Sequence, residues 1–223
     1  MDSILSVDCC TEWTSIGLFA DGAVRGEVNL NVGRRQSTLL PLLVERLLET
    51  FSMTPRDIAL FAVTTGPGSF TGIKVGIAFA QFLAWGLAKR VVPISSLESL
   101  AFAHRGYLGT TMVLLKAGGG RLFAAGYRES GEGGPQCVVP SKAYLPEELF
   151  MALDERGEPR ESLRWISPSP GAVAPLFRGG WAPLVQHVLP SGGRTAQLAG
   201  IRRTTALAPR ELQASYFKEP TIG

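Results

Sequence analysis

The segment that most restricts how this chain can fold lies between residues 58 and 88. An apolar run, Ile58–Thr64, leads through Gly66-Pro67-Gly68-Ser69-Phe70-Thr71-Gly72 into Phe70–Ala88, which carries almost no polar side chain. The first run reads as a buried strand, the glycine-rich piece as a tight loop, and the last as a helix. At close to the ~20 residues of a bilayer span the helix invites a membrane reading. Lys74 and Gln81 inside it, and its many Gly and Ala residues, fit a helix buried on more than one side instead.

A glycine-rich loop between strand and helix is a place where backbone N–H groups can hold an anion. A phosphate-binding P-loop needs Lys directly after its last Gly and a hydroxyl after that. Ile73 separates Gly72 from Lys74, and Val75 has no hydroxyl, so the pattern fails. A GxSxG nucleophile elbow fails too, because Ser69 directly follows Gly68. What remains is a turn: Gly66 and Gly68 supply positive φ, Pro67 fixes its own, and Ser69 or Thr71 caps the helix. Within the helix, Gly72, Gly76, Ala80 and Ala84 recur every four residues and make one face nearly free of side chains, open to close approach by another helix. Phe70, Ile73, Val75, Ile77, Phe79, Phe82, Leu83, Trp85 and Leu87 occupy the other faces. A helix apolar all round must bury more than one side; interior burial and a partner surface are both open.

Along the chain, Ile4–Val7, Ser15–Ala20 and Ala23–Val32 read as a three-strand meander with an Asp21-Gly22 hairpin turn. Ser37–Thr50 has leucines at helical spacing, with Ser37 as N-cap and Pro41 in the first turn. Val91–Ile94 is a further strand, and a helix opens near Ser96. The order βββαβαβα then recurs: strands at Thr111–Ala117, Arg121–Tyr127 and Gln136–Pro140, helix Pro146–Glu155, strand Leu163–Ile166, a short helix at Ala172–Phe177, a strand near Pro183–Val188 and a helix at Arg194–Ala206. Two like-built lobes are expected, residues 1–105 and 106–223, each a mixed sheet flanked by helices, with a last segment that could pack back on the first lobe.

Charge matters at this point because it limits the partners. Against 22 Lys and Arg stand 19 Asp and Glu, a net +3, too small an excess for a chain whose main task is neutralising a phosphate backbone. The halves differ: nine basic and nine acidic residues lie up to residue 110, and 13 and 10 beyond it. The pairs Arg34-Arg35 and Arg202-Arg203 read as solvated faces. Cys9, Cys10 and Cys137 are an odd count, with an adjacent pair that bridges only under strain, which fits a reducing compartment. The opening MDSILSV lacks a basic n-region and a long apolar core, so a cytoplasmic location is expected. His104 and His187 are isolated and no CxxC pairs occur, so no metal site is expected. Asp8 ends the first strand, where a carboxylate can serve a metal–nucleotide complex or a base, but a turn or ion-pair role is favoured.

Four segments together resemble the TsaB family of accessory subunits in bacterial tRNA threonylcarbamoyladenosine synthesis: Ile4–Asp8, Arg35-Gln36-Ser37-Thr38-Leu39-Leu40-Pro41, Gly66 through Gly76, and Ser95–Leu100. The resemblance covers residues 1–105 well and is patchy beyond, with Tyr216-Phe217-Lys218 similar to a closing family motif. Departures are Gln36 where His is common, Cys9-Cys10 for Thr-Ser, and Lys116-Ala117-Gly118 with Arg121 where Asp-Ala-Arg and an acidic residue are usual.

The resemblance implies a two-lobed actin/sugar-kinase/heat-shock-ATPase-like α/β fold whose lobes are of βββαβα type. It implies a non-catalytic scaffold in a heterodimer with TsaD, the subunit that transfers threonylcarbamoyl to adenosine 37 of tRNA, with TsaE joining as an ATPase. ATP and metal would belong to TsaD and TsaE, none to this chain, and tRNA would be met only through the complex. The partner-binding residues implied are Ser37, Leu40, Ser69, Phe70, Thr71, Gly72, Ile73, Val75, Gly76, Phe79 and Ala80, and the same surface would support a homodimer in isolation. The alternatives are a phosphotransferase of sugar-kinase type using Asp8 and the Gly66–Gly72 loop, and a tRNA-binding module in its own right.

Overall fold

The structure is a computed structural model that describes residues 2–177 and 182–215. The first pass of elements is β1 (Ile4–Asp8), β2 (Trp13–Ala20), β3 (Ala23–Asn31), α1 (Gln36–Thr50), β4 (Leu60–Thr64), α2 (Phe70–Gly86), β5 (Val91–Ile94) and α3 (Ser96–Ala103). The second is β6 (Thr111–Lys116), β7 (Leu122–Glu129), β8 (Pro135–Tyr144), α4 (Pro146–Asp154), β9 (Arg164–Ser167), α5 (Pro170–Val173), β10 (Val185–His187) and α6 (Gly192–Ile201). The sheets run β3-β2-β1-β4-β5 and β10-β9-β6-β7-β8, the same plan with the second written in reverse. In each, a hairpin meander supplies antiparallel pairs and βαβ crossovers supply parallel ones.

The chain divides into two compact units, one of residues 1–99 with 190–215 and one built on 100–189. The break falls at Ser99/Leu100 rather than at 105/106, and α6, expected in the second lobe, belongs to the first unit. The reason is local: Ser6 Oγ donates a 2.6 Å bond to the Gly192 carbonyl, and a Cβ on Gly17 would stand 2.0 Å from the Gly192 backbone. Glycine on both sides lets the start of α6 lie directly against β2, a backbone contact that no hydrophobic period announces. Arg202, read as solvated, instead bonds Glu98 at 2.7 Å and ties the end of α6 to α3.

In the first unit β1 is buried along its whole length, and its alternation decides what each layer does. Leu5 and Val7 point to one side, where they share a core with Leu40, Val44, Leu47 and Leu48 of α1 and Ile73, Ile77, Ala80 and Ala84 of α2. Ser6 points to the other side, toward α6. The Asp21-Gly22 turn has positive φ at both residues, 53° and 77°, as a two-residue primed hairpin requires. α1 starts one residue before Ser37 and has no side-chain cap, and Pro41 stands inside the helix beyond its first turn.

The second unit has its own core of Met112, Leu114, Leu122, Leu149, Leu153 and Trp165 with their neighbours. Arg121, which stands where the TsaB pattern favours an acidic residue, pairs with Glu148 at 2.9 Å, and Glu148 also accepts the Leu145 N–H that opens α4. No disulfide joins the cysteines; Cys9 and Cys10 are buried and Cys137 is exposed. Among the described residues no helix is long and apolar enough to cross a membrane. Tyr216-Phe217-Lys218 lies outside the described residues.

Candidate functional site

The glycine loop fixes α2 to the rest of the first unit. Gly66 and Gly68 take φ of 111° and 154°, and the Gly66–Pro67 peptide is cis. Ser69 opens the helix: its side chain accepts the Gly72 N–H at 3.2 Å, and its own N–H donates to the Cys10 carbonyl at 2.7 Å. The loop's carbonyls are taken as well, Gly66 O by the Ser96 N–H at 2.9 Å and Pro67 O by the Ser96 hydroxyl. A Cβ on Gly68 would lie 2.1 Å from the Cys10 oxygen, and one on Gly72 would lie 1.9 Å from the Cys9 oxygen. Small residues are therefore required for the helix to dock on the β1–β2 turn.

The side-chain-poor stripe meets the chain's own sheet rather than a foreign helix. Gly72, Gly76, Ala80 and Ala84 are all buried, with Gly76 facing Val63 and Cys9 at ordinary contact distances of 3.5–3.6 Å. The opposite face is the open one. Phe70 is 42% exposed, Phe82 71% and Trp85 75%, with Lys74 and Ala78 exposed between them. The Lys74 ammonium sits 4.0 Å above the Phe70 ring. Leu42 of α1 is a further exposed apolar side chain on the helix that packs beside α2. On another side Gln81 donates to the Pro209 and Leu212 carbonyls, holding the segment after α6 against the helix.

The residues expected at a partner surface therefore separate by burial. Ser37, Ser69, Phe70 and Thr71 are exposed, and Val75 and Phe79 are half-buried. Leu40, Gly72, Ile73, Gly76 and Ala80 are buried in the chain itself. Phe82 and Trp85, outside that set, are the most exposed apolar side chains of α2, and their placement was readable: they lie across the helix from the glycines, at helical spacing from Phe70.

The buried polar groups beneath the loop are committed to each other. Asp8 is 2% exposed, and its Oδ1 accepts both the Cys10 N–H at 2.9 Å and the Thr64 hydroxyl at 2.7 Å. The Cys10 thiol donates to Thr64 Oγ1 at 3.1 Å. Burial raises the Asp8 carboxyl above its ordinary range, against the pull of the Cys10 and Thr64 bonds. Burial, with Asp8 nearby, pushes Cys9 up to about 12 and raises Cys10 as well. Asp8 is thus a turn residue, without an ion pair among the described residues. Gln36 is buried too, and its amide Nε2 fans across the Cys9, Thr11 and Trp13 carbonyls at 3.4, 3.0 and 3.3 Å, joining α1 to the same turn. Among the described residues no three His, Cys, Asp or Glu side chains gather as a metal site.

Two mixed sheets of one plan, each flanked by helices, define the class: the two-lobed actin/sugar-kinase/heat-shock-ATPase-like proteins. The family model for TsaD, tRNA N6-adenosine threonylcarbamoyltransferase, matches residues 28–179. The tRNA threonylcarbamoyladenosine biosynthesis protein TsaB of Bacillus subtilis is 29% identical over 157 residues, 70% of this chain and 68% of that one. TsaB of Escherichia coli is 34% identical over 132 residues, 58% and 57% of the two chains. A tRNA N6-adenosine threonylcarbamoyltransferase of Chlorobaculum tepidum is 27% identical over 144 residues, 55% of this chain and 41% of that one. Among solved structures, a Pseudomonas aeruginosa protein described as similar to peptidase YeaZ superposes with a TM-score of 0.82 at 21% identity, covering 98% of this chain and all of that one. YeaZ from the same organism gives 0.77 at 20% identity, over 97% of this chain and all of that one. At these identities the two structures speak for the fold. The chain belongs to the TsaB family, within the TsaD-like group of this class.

Proposed function

We propose that this chain takes part in tRNA threonylcarbamoyladenosine biosynthesis as a scaffold without chemistry of its own, binding TsaD through the outward face of α2 and the adjoining part of α1. The observation that carries this is the exposed row Phe70, Phe82 and Trp85 on a helix whose other face is fixed to the sheet by glycine contacts. Burying a large apolar side chain is worth about 1.5–3 kcal/mol, so this row is a strong anchor if a partner covers it. Activation follows only where the scaffold binds the competent state of TsaD more tightly than the incompetent one. TsaE joins the assembly, ATP and metal belong to TsaD and TsaE, and tRNA is reached through the complex.

The test is co-elution of this chain with its own TsaD. Phe82→Glu combined with Trp85→Glu should abolish it while leaving the melting temperature near that of the parent, since both side chains are exposed. Co-elution at undiminished yield would remove the surface from consideration. Gly76→Arg is a poor probe, because Gly76 faces Val63 and the variant would damage the fold itself. The phosphotransferase reading shares the fold, but the Asp8 it would use is buried, with Oδ1 engaged by the Cys10 N–H and the Thr64 hydroxyl. Calorimetry with Mg-ATP separates the two: a Kd near or below about 1 μM for the lone chain would favour the kinase.

A further inference from the structure

The second unit contains a cavity of about 230 Å³ between the end of α3, the starts of β6 and β9, and the β7–β8 connection. Three of its walls are rings, Phe102, Tyr107 and Tyr127. Arg164 is held in place: Nε and Nη2 donate to Thr111 Oγ1 at 3.2 and 2.9 Å, Nη2 also reaches the His104 carbonyl, and the guanidinium lies 5.2 Å from the Tyr107 ring centroid. Among the described residues its Nη1 has no partner. Arg105 lies 4.7 Å over the Phe102 ring and has no carboxylate within ion-pair distance among them. Glu129 also lines the cavity, with one oxygen taking the Gly106 N–H, whereas Arg128 is spent on Glu158 at 2.6 Å. With Arg128 paired to Glu158, the guanidiniums of Arg105 and Arg164 against the one carboxylate of Glu129 leave an excess of a single positive charge.

We propose that this cavity binds a small aromatic monocarboxylate, its carboxylate on Arg105 and Arg164 and its ring against Tyr107 and Tyr127. The Arg105 guanidinium can present its fork to the two oxygens of a carboxylate, Arg164 Nη1 adds a further donor, and the ring-faced walls add apolar area that a bare inorganic anion could not use. The volume is below the ~300–1,000 Å³ of sites for drug-sized ligands, which limits the occupant to about one ring. Burial works against the charge of Arg164 while Tyr107 and Glu129 support it, and a bound anion would add to that support. The site is independent of the TsaD-binding reading and stands or falls apart from it.

Benzoate, benzamide and inorganic phosphate, titrated separately into the ¹⁵N-labelled full chain, test the site. Benzoate is expected to shift the amide signals of Gly106 and Gly131 saturably, with a Kd below about 1 mM. Benzamide and phosphate should bind at least about tenfold more weakly, since each lacks one half of the recognised chemistry. Arg105→Gln, at an exposed position, should weaken benzoate about tenfold, and Glu129→Gln should tighten it by raising the positive excess. Absence of saturation, benzamide binding as well as benzoate, or either variant acting in the opposite direction or not at all would overturn the assignment.

Discussion

Gly72 meets Cys9 so closely that a Cβ on the glycine would stand 1.9 Å from the Cys9 carbonyl oxygen. The clashing atom is backbone, so a side chain there is accommodated only by moving α2 off the β1–β2 turn. Gly72→Ala is expected to destabilise the chain by about 1–3 kcal/mol or more in urea denaturation. Gly86, at the end of the same helix, has nothing within 4 Å of such a Cβ. Gly86→Ala should be neutral or stabilise by up to about 1 kcal/mol through helix propensity. Equal losses at both sites would contradict the docking role of Gly72.

Gln36 predicts a graded series. Its one amide nitrogen serves the Cys9, Thr11 and Trp13 carbonyls from a buried position. Gln36→Leu keeps the volume and removes the donor, so about 1–3 kcal/mol of stability should be lost by thermal or chemical unfolding. Gln36→His restores a ring N–H and should recover part of that loss. A leucine variant as stable as the parent would mean that water satisfies these carbonyls equally well.

The element order was legible because each strand and helix carried its own period or turn signal, from the Asp21-Gly22 hairpin to the leucines of α1. Three things were not. The placement of α6 in the first unit depends on Gly17 lying against Gly192, a contact between residues far apart in sequence and without side chains to mark it. The direction of α2 was also hidden, because a helix apolar on every side has a weak amphipathic signal. Its small stripe marked a close approach correctly, yet spacing alone could not distinguish the chain's own sheet from another molecule. Ser69 as N-cap was readable from its position before an apolar run. The engagement of Asp8 by Cys10 and Thr64 required the β1–β4 register to be seen.

Asp8 makes stability depend on pH in a stated direction. Its folded pKa is raised, chiefly by burial, so the fold prefers the protonated acid. The contribution is fully present below the ordinary carboxylate value of about 4 and is lost as pH rises through the folded value. The Cys10 N–H and Thr64 hydroxyl bonds both fall on Oδ1, which the amide oxygen of Asp8→Asn can replace. The variant should therefore gain stability relative to the parent as pH rises from 4 to 8, by about 1.4 kcal/mol for each unit by which the pKa is raised. Urea denaturation at both pH values measures this, and a difference that does not change with pH would show that Asp8 ionises without penalty.

The outward face of α2 predicts how the chain behaves alone. With Phe82 71% and Trp85 75% exposed, two such faces can cover one another when no partner is present. Sedimentation should then give a monomer–dimer equilibrium that shifts to monomer in Phe82→Glu with Trp85→Glu. Adding TsaD should dissolve the homodimer, because one surface cannot serve both. Salt should have little effect on dimerisation, since the contact is apolar, whereas an ion-pair interface would weaken as the Debye length falls from about 10 Å at 0.1 M to 3 Å at 1 M. A dimer that persists in the double variant, or one that binds TsaD without dissociating, would place self-association elsewhere on the chain.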